Sequence, residues 1–196
     1  MKRLSLADRV QTASPPVRFA RKLAERVRLL AADDEGVAAY FRTQGATIGT
    51  GTRILTKSLG SEPYLVTIGD ETLISTDVMF STHDGATWVL RDALPDLAVF
   101  GRITIGKRCF IGTRTVLLPG CSIGDRSVVG AGSVVNHDIP DGVVAVGVPA
   151  RVVSSIEEFR TRCLERSVGP VPPDRADLAA YLMDGRVPQN EMEMST

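Results

Sequence analysis

The chain has two histidines, His83 and His137. Imidazole is the side chain whose unperturbed pKa best suits proton transfer near neutral pH, so each is a candidate general base. His83 stands in Ser81-Thr82-His83-Asp84-Gly85, directly ahead of Ala86 to Ala98. That stretch carries the only tryptophan, Trp88, together with Arg91 and Asp92. Asp84 is next to His83, but neighbouring side chains often point apart. The sequence therefore does not make Asp84 the group that orients the ring, and a backbone carbonyl would fix the tautomer equally well. The three cysteines are spread out with no Cys-x-x-Cys pair, which argues against a redox or metal motif.

What must position these groups is legible in the period of the chain. From Ile105 to Pro140 the sequence repeats in sixes, beginning Ile105-Gly106-Lys107-Arg108-Cys109-Phe110 and Ile111-Gly112-Thr113-Arg114-Thr115-Val116. An aliphatic residue opens each of the six hexads, Gly follows it in four, and the fifth place is Cys, Thr or Ser in five. A period of six fits neither a helix nor an alternating strand; it is the period of a solenoid. Each hexad predicts one short strand and one corner. The opener points inward, the small fifth residue sits where the chain bends, and Gly relieves the backbone at the turn. Cys109 and Cys121 then read as small core residues in the fifth place. Stacked coils bury a continuous aliphatic column, so no coil is stable alone.

The same phase is present earlier, at Ile48 to Leu59 and again at Ile68 to Met79. Gly60 to Thr67 shifts it, and after Phe80 it fails until Val99. A loop excursion therefore leaves the solenoid wall at about residues 81–98, beside His83, and loops of that length inside a repeat tend to be functional. The organisation predicted is an N-terminal helical segment (1–44), the solenoid (45–153), and a C-terminal helix and tail (154–196). In the first segment Phe19, Leu23, Val27, Leu30, Val37, Tyr40 and Phe41 have helical spacing, with a break near Asp33-Asp34. The cations Arg18, Arg21, Lys22, Arg26 and Arg28 read as its solvated face. Ser154 or Ser155 is placed to cap a helix running to about Ser167, which would close the last repeat. A short helix is expected at Leu178 to Met183, and a disordered tail over the last ten residues. The formal net charge of zero removes any global electrostatic case for nucleic acid. There is no apolar run of membrane-spanning length and no signal-peptide pattern at Met1 to Arg9, and the odd, unpatterned cysteines suit a reducing cytoplasm.

This ladder, over about residues 45–160, resembles the hexapeptide-repeat acetyltransferases, in particular their sugar and capsular-polysaccharide O-acetyltransferase branch. The resemblance implies a mainly β fold, a left-handed parallel β-helix, which is an exception to the usual right-handed crossover. It also implies a homotrimer. In that family the catalytic His begins an excursion, in a segment resembling Ser81-Thr82-His83-Asp84. His83 is accordingly the expected general base, and His137 a surface or cofactor-proximal residue.

The cofactor implied is acetyl-CoA, as acyl donor, and no metal. Ile111-Gly112-Thr113 looks like a pantetheine-facing corner. Gly130-Ala131-Gly132-Ser133 matches the family's run whose Ala faces coenzyme A. Asn136 takes the place of a family Thr. Arg151 keeps the cation of a segment near the adenine and 3′-phosphate, and Arg suits phosphate. Thr113, Ala131, Gly132, Asn136 and Arg151 are thus the expected cofactor contacts. Asp84, Trp88 and Arg91 are expected to meet the acceptor. Trp88 either offers its apolar face to a sugar ring or pins the loop to the wall.

The expected reaction is acetyl transfer to a hydroxyl of a sugar or polysaccharide. An amino sugar, possibly nucleotide-linked, is the alternative acceptor, and a non-catalytic solenoid scaffold is the alternative outside enzymology. A γ-type carbonic anhydrase on the same solenoid would need three His ligands for zinc, which two histidines cannot supply.

Overall fold

The structure is a computed structural model that describes Leu29 and residues 32–186. The first predicted helix, with its five cations, lies outside the described residues apart from buried Leu29, and so do the last ten residues.

Each hexad gives a strand of two or three residues followed by a tight corner. In chain order the strands are β1 (Thr47–Ile48), β2 (Arg53–Ile54), β3 (Val66–Ile68), β4 (Leu73–Ile74), β5 (Met79–Phe80) and β6 (Ile103–Ile105). They continue as β7 (Phe110–Ile111), β8 (Val116–Leu117), β9 (Ser122–Ile123), β10 (Val128–Val129) and β11 (Val134–Val135). Two longer strands, β12 (Val143–Val146) and β13 (Arg151–Ser155), close the series. Consecutive strands up to β12 fall in different sheets, and the three sheets are ordered β1-β3-β6-β9, β2-β4-β7-β10-β12-β13 and β5-β8-β11. All pairs are parallel except β12 with β13. The chain therefore winds as a three-sided parallel β-helix. Phe110 pairs with Val128 three hexads on, and so does Val116 with Val134. The excursion does not disturb this phase: Met79 pairs directly with Val116, and Thr67 with Thr104.

The hexad openers form the core. Ile54, Ile68, Ile74, Ile105, Ile111, Leu117, Ile123, Val129 and Val135 are all buried. The fifth-place residues Thr52, Thr72, Thr115, Ser127 and Ser133 are buried as well, and their hydroxyls satisfy carbonyls that the corners leave unpaired. Thr72 Oγ1 donates to Gly106 O at 2.8 Å, and Ser127 Oγ to Pro140 O at 2.7 Å. Cys109 takes the same place, its Sγ 3.0 Å from Gly124 O.

The role expected of the second-place glycine is corrected by the geometry. The left-handed backbone falls at the fourth place, as at Arg114 (φ +59°) and Gly132 (φ +70°). Gly112, in the second place, needs no positive φ. It is small because the next coil passes over it: a Cβ there would lie 2.4 Å from Ala131 N.

Both ends of the solenoid carry helices. Helix α1 (Asp34–Thr43) begins at the predicted break, with the Asp33 side chain accepting from Gly36 N at 2.8 Å. It buries Val37, Ala38 and Phe41. Its Arg42 guanidinium donates to Ile48 O and Gly49 O at 3.0 and 2.9 Å, capping carbonyls of the first coil. At the other end α2 (Ile156–Glu165) starts on a capping box: Ser155 Oγ accepts from Glu158 N, and the Glu158 carboxylate from Ser155 N. No residue of α2 is buried within the chain. A further helix, α3 (Arg175–Tyr181), starts three residues before the predicted one.

Candidate active site

The prism has three long edges, and the corners stack along them. His83 lies on the edge between the β5-β8-β11 sheet and the β1-β3-β6-β9 sheet. Here the chain leaves the wall after β5 and returns to it before β6. The neck of the excursion is closed by antiparallel pairing of His83 with Phe100. Asp84 N donates to Val99 O, and Gly101 N to Thr82 O, each at 2.9 Å. His83 is thus held on both sides by backbone bonds, while its side chain remains 45% exposed. The ring tilts against Phe100, with centroids 5.9 Å apart.

The partner of the imidazole is Glu62, a residue that the hexad pattern does not single out. Glu62 Oε2 lies 3.0 Å from His83 Nδ1 and also accepts the hydroxyl of buried Thr82. Glu62 comes from the phase-shifting stretch one coil earlier, just before the 3₁₀ turn Pro63–Leu65. The Thr82 hydroxyl first, and the bond to His83 second, hold its carboxyl below the usual carboxylate range. The strand register explains the meeting. Thr47 pairs with Thr67 and Arg53 with Leu73, so the first coil is twenty residues long and residue 62 lies one turn under residues 82 and 83.

Asp84 acts locally. Its Oδ1 accepts Ala86 N at 2.9 Å and caps the 3₁₀ helix Gly85–Leu90. Trp88 is 67% exposed, so it does not pin the loop to this chain's own wall. The Arg91 guanidinium stacks over its ring at 4.0 Å, a cation–π pair at the tip of the excursion. Leu90, Leu94, Val99 and Phe100 are also exposed.

The expected cofactor residues divide between two edges. Thr113, Ala131 and Gly132 stack on the edge between the six-stranded sheet and the β5-β8-β11 sheet, with Gly132 N donating to Thr113 O at 2.8 Å. The Thr113 hydroxyl is 2.8 Å from Ser75 Oγ, which extends a polar line down that edge. Nothing stands over Gly132 within 4 Å of where a Cβ would be, so backbone is open there. Arg151 is exposed at the start of β13 and donates to Ala150 O at 2.8 Å. Asn136 lies on the His83 edge, its side chain 2.8 Å from the exposed ring of His137. The β5-β8-β11 sheet thus separates His83 from Thr113 and Ala131 within one chain. Among the described residues no helix is long and apolar enough to cross a membrane, and no group of three His, Cys, Asp or Glu could hold a metal ion.

Comparison with known proteins agrees with this architecture. The family model for the bacterial transferase hexapeptide (six repeats) matches residues 102–137. Protein CapG of Staphylococcus aureus is 44% identical over 130 residues, which is 65% of this chain and 76% of CapG. The galactoside O-acetyltransferase of Escherichia coli K12 is 43% identical over 97 residues, and the chain spans 47% of that relative's length. Among solved structures, a hexapeptide-repeat-containing acetyltransferase from Vibrio cholerae, complexed with acetyl coenzyme A, superposes with a TM-score of 0.55 at 28% identity. That match covers 73% of this chain and 90% of the other. With a repeating hexad, a three-sided parallel solenoid and 44% identity to CapG along three quarters of that relative's length, the chain belongs to the hexapeptide-repeat acetyltransferase family.

Proposed function

We propose that the chain is an acetyl-CoA-dependent O-acetyltransferase that acts on a hydroxyl of a sugar or polysaccharide, with His83 as general base. The observation that carries this reading is the half-exposed His83 imidazole, fixed at the neck of the excursion that interrupts the ladder. The acceptor hydroxyl attacks the thioester carbonyl while His83 takes its proton. The tetrahedral intermediate collapses by expelling the coenzyme A thiolate, which recovers the proton from the imidazolium. The products are the O-acetyl ester and free coenzyme A. Backbone N–H groups supply the oxyanion contacts.

The donor lies along the corner edge, with Thr113, Ala131 and Gly132 on its pantetheine arm and Arg151 toward the nucleotide phosphates; Asn136 belongs to the same site. Trp88 presents its exposed face to the sugar ring, with Arg91 and Asp84 beside it. The relatives' names support this assignment: galactoside O-acetylation for one and an acetyl coenzyme A complex for another.

The site is completed between copies in a homotrimer of left-handed solenoids, because one prism keeps its two halves on different edges. Two observations support that assembly. The outward face of the β5-β8-β11 sheet shows Met79, 60% exposed, and the excursion leaves Trp88 and Val89 uncovered. Helix α2 ends the solenoid as its cap. The three free cysteines suit the reducing cytoplasm.

The test is release of free thiol from acetyl-CoA with a panel of hydroxy and amino sugars, together with sedimentation of the purified protein. Wild type should turn over hydroxy sugars as a trimer, and His83→Ala should lower kcat by about 10²–10⁴-fold. Equal rates for His83→Ala and wild type would overturn the mechanism, and transfer to amines alone would reassign the acceptor.

A further inference from the structure

We infer that Glu62 is the positioning residue of this site: its carboxylate, steered by the Thr82 hydroxyl, holds His83 as the Nδ1–H tautomer and so leaves Nε2 as the nitrogen that takes the acceptor's proton. The inference rests on His83 being the base and adds what makes it one.

An ionised carboxylate can only accept hydrogen bonds. With Glu62 Oε2 3.0 Å from Nδ1, the hydrogen of a neutral ring must reside on Nδ1 for the contact to be a bond. The other ring nitrogen is then the one with a free lone pair. Free imidazole has no such constraint and distributes its proton over both nitrogens. Three features make the contact more than a surface pair. The Glu62 side chain is only 15% exposed, against 45% for His83. The same oxygen accepts the hydroxyl of Thr82, which is 1% exposed and set in the wall. The Thr82 carbonyl in turn accepts Gly101 N, so the residue that steers Glu62 also closes the neck of the excursion. The lowered carboxyl of Glu62 agrees with its being charged throughout the working range.

The arrangement is a cross-coil line from Thr82 to Glu62 to His83. It joins residues twenty or so apart in sequence because one turn of the solenoid brings them to the same edge. Glu62 touches neither acceptor nor donor in this scheme. Its removal should therefore act on turnover and not on binding.

The experiment uses full-length protein with Glu62→Ala and Glu62→Gln variants. It measures kcat and KM for acetyl-CoA and for a hydroxy-sugar acceptor, with thermal melting to confirm folding. Imidazole ¹⁵N spectra at neutral pH report the tautomer directly. The chain has only two histidines, and a His137→Gln variant assigns the signals. In wild type the His83 ring should show the Nδ1–H tautomer. In Glu62→Ala that preference should be lost, and kcat should fall by about 10- to 1,000-fold, the range expected when a base loses its orienting group. Both KM values should stay within about twofold. Glu62→Gln keeps an acceptor oxygen, so it should retain more of the tautomer signal and more turnover than Glu62→Ala. An Nε2–H ring in wild type, an unchanged kcat in folded Glu62→Ala, or a loss confined to KM would each overturn the assignment. If Glu62→Ala does not fold, the wild-type ring spectrum and Glu62→Gln kinetics decide the matter alone. A failure of His83→Ala to lose activity would instead strike the general-base reading itself.

Discussion

At the scale of single residues, two places in the hexad set the geometry by steric means. The second place is filled by the backbone of the coil above. Gly112→Ala would put a methyl group 2.4 Å from Ala131 N, so the two coils must separate. We expect a loss of about 1–3 kcal/mol, the usual cost of overpacking, read from urea unfolding. Gly85 is a control within the excursion: a Cβ there meets nothing within 4 Å, and Gly85→Ala should change stability by less than about 0.5 kcal/mol. The fifth place is chemically quiet. Cys109 and Cys121 are buried, and burial pushes the Cys121 thiol up to about 11. Both should resist maleimide at neutral pH until the protein unfolds, while exposed Cys163 reacts in the native state. Labelling of all three thiols in folded protein would show that the column is not closed.

At the scale of elements, the excursion is an insertion that the solenoid tolerates, because the register resumes on its far side with Met79 on Val116. Loop length costs little once the ends are held together, and here the His83–Phe100 neck holds them. Replacing residues 87–96 by a short Gly-Ser turn should leave a cooperative thermal transition. It should raise the acceptor KM at least about tenfold, because the Trp88–Arg91 platform is lost. A variant with unchanged acceptor kinetics would remove Trp88, Arg91 and Asp84's helix from the acceptor site. Helix α2 depends on its capping box instead. Ser155→Ala should destabilise it by about 1 kcal/mol, seen as faster hydrogen exchange in Ile156–Glu165.

At the scale of the whole molecule, acid stability is set by carboxylates that bridge coils or cap helices. Among the described residues three lie below their ordinary values. Asp70 accepts Thr50 N–H from the neighbouring coil, Glu158 accepts Ser155 N–H, and Glu62 accepts the Thr82 hydroxyl. A carboxyl depressed in the folded state adds stability that is fully present above its unfolded pKa, near 4, and is lost as pH falls through the folded value. Stability should therefore be flat from neutral pH down to about 5 and decline below about 4, as measured by urea midpoints across that range. A decline that begins well above pH 5 would show that groups other than these three carboxylates set the acid limit.

The hexad period was readable because it is local. It identified the solenoid, the buried openers such as Ile54, Ile111 and Val135, the small fifth-place residues and the excursion beside His83, and a separate local signal, Ser154 or Ser155 ahead of acids, identified the C-terminal helix. Each of these depends on residues within six or so positions of one another. Glu62 was not readable, because its meeting with His83 depends on how many residues complete a coil. The irregular Gly60 to Thr67 stretch makes the first coil two residues longer than the regular eighteen-residue coils beyond the excursion. The division of the expected cofactor residues, with Thr113 and Ala131 on one edge and Asn136 on the His83 edge, was likewise settled only by the winding. So was the role of Gly112, since the atoms that forbid a side chain there belong to Ala131, a full turn away. The sequence by itself determined which residues face inward and where the repeat breaks. Tertiary structure decided which residues stand one above another, because that contact is made by coil closure and not by neighbours along the chain.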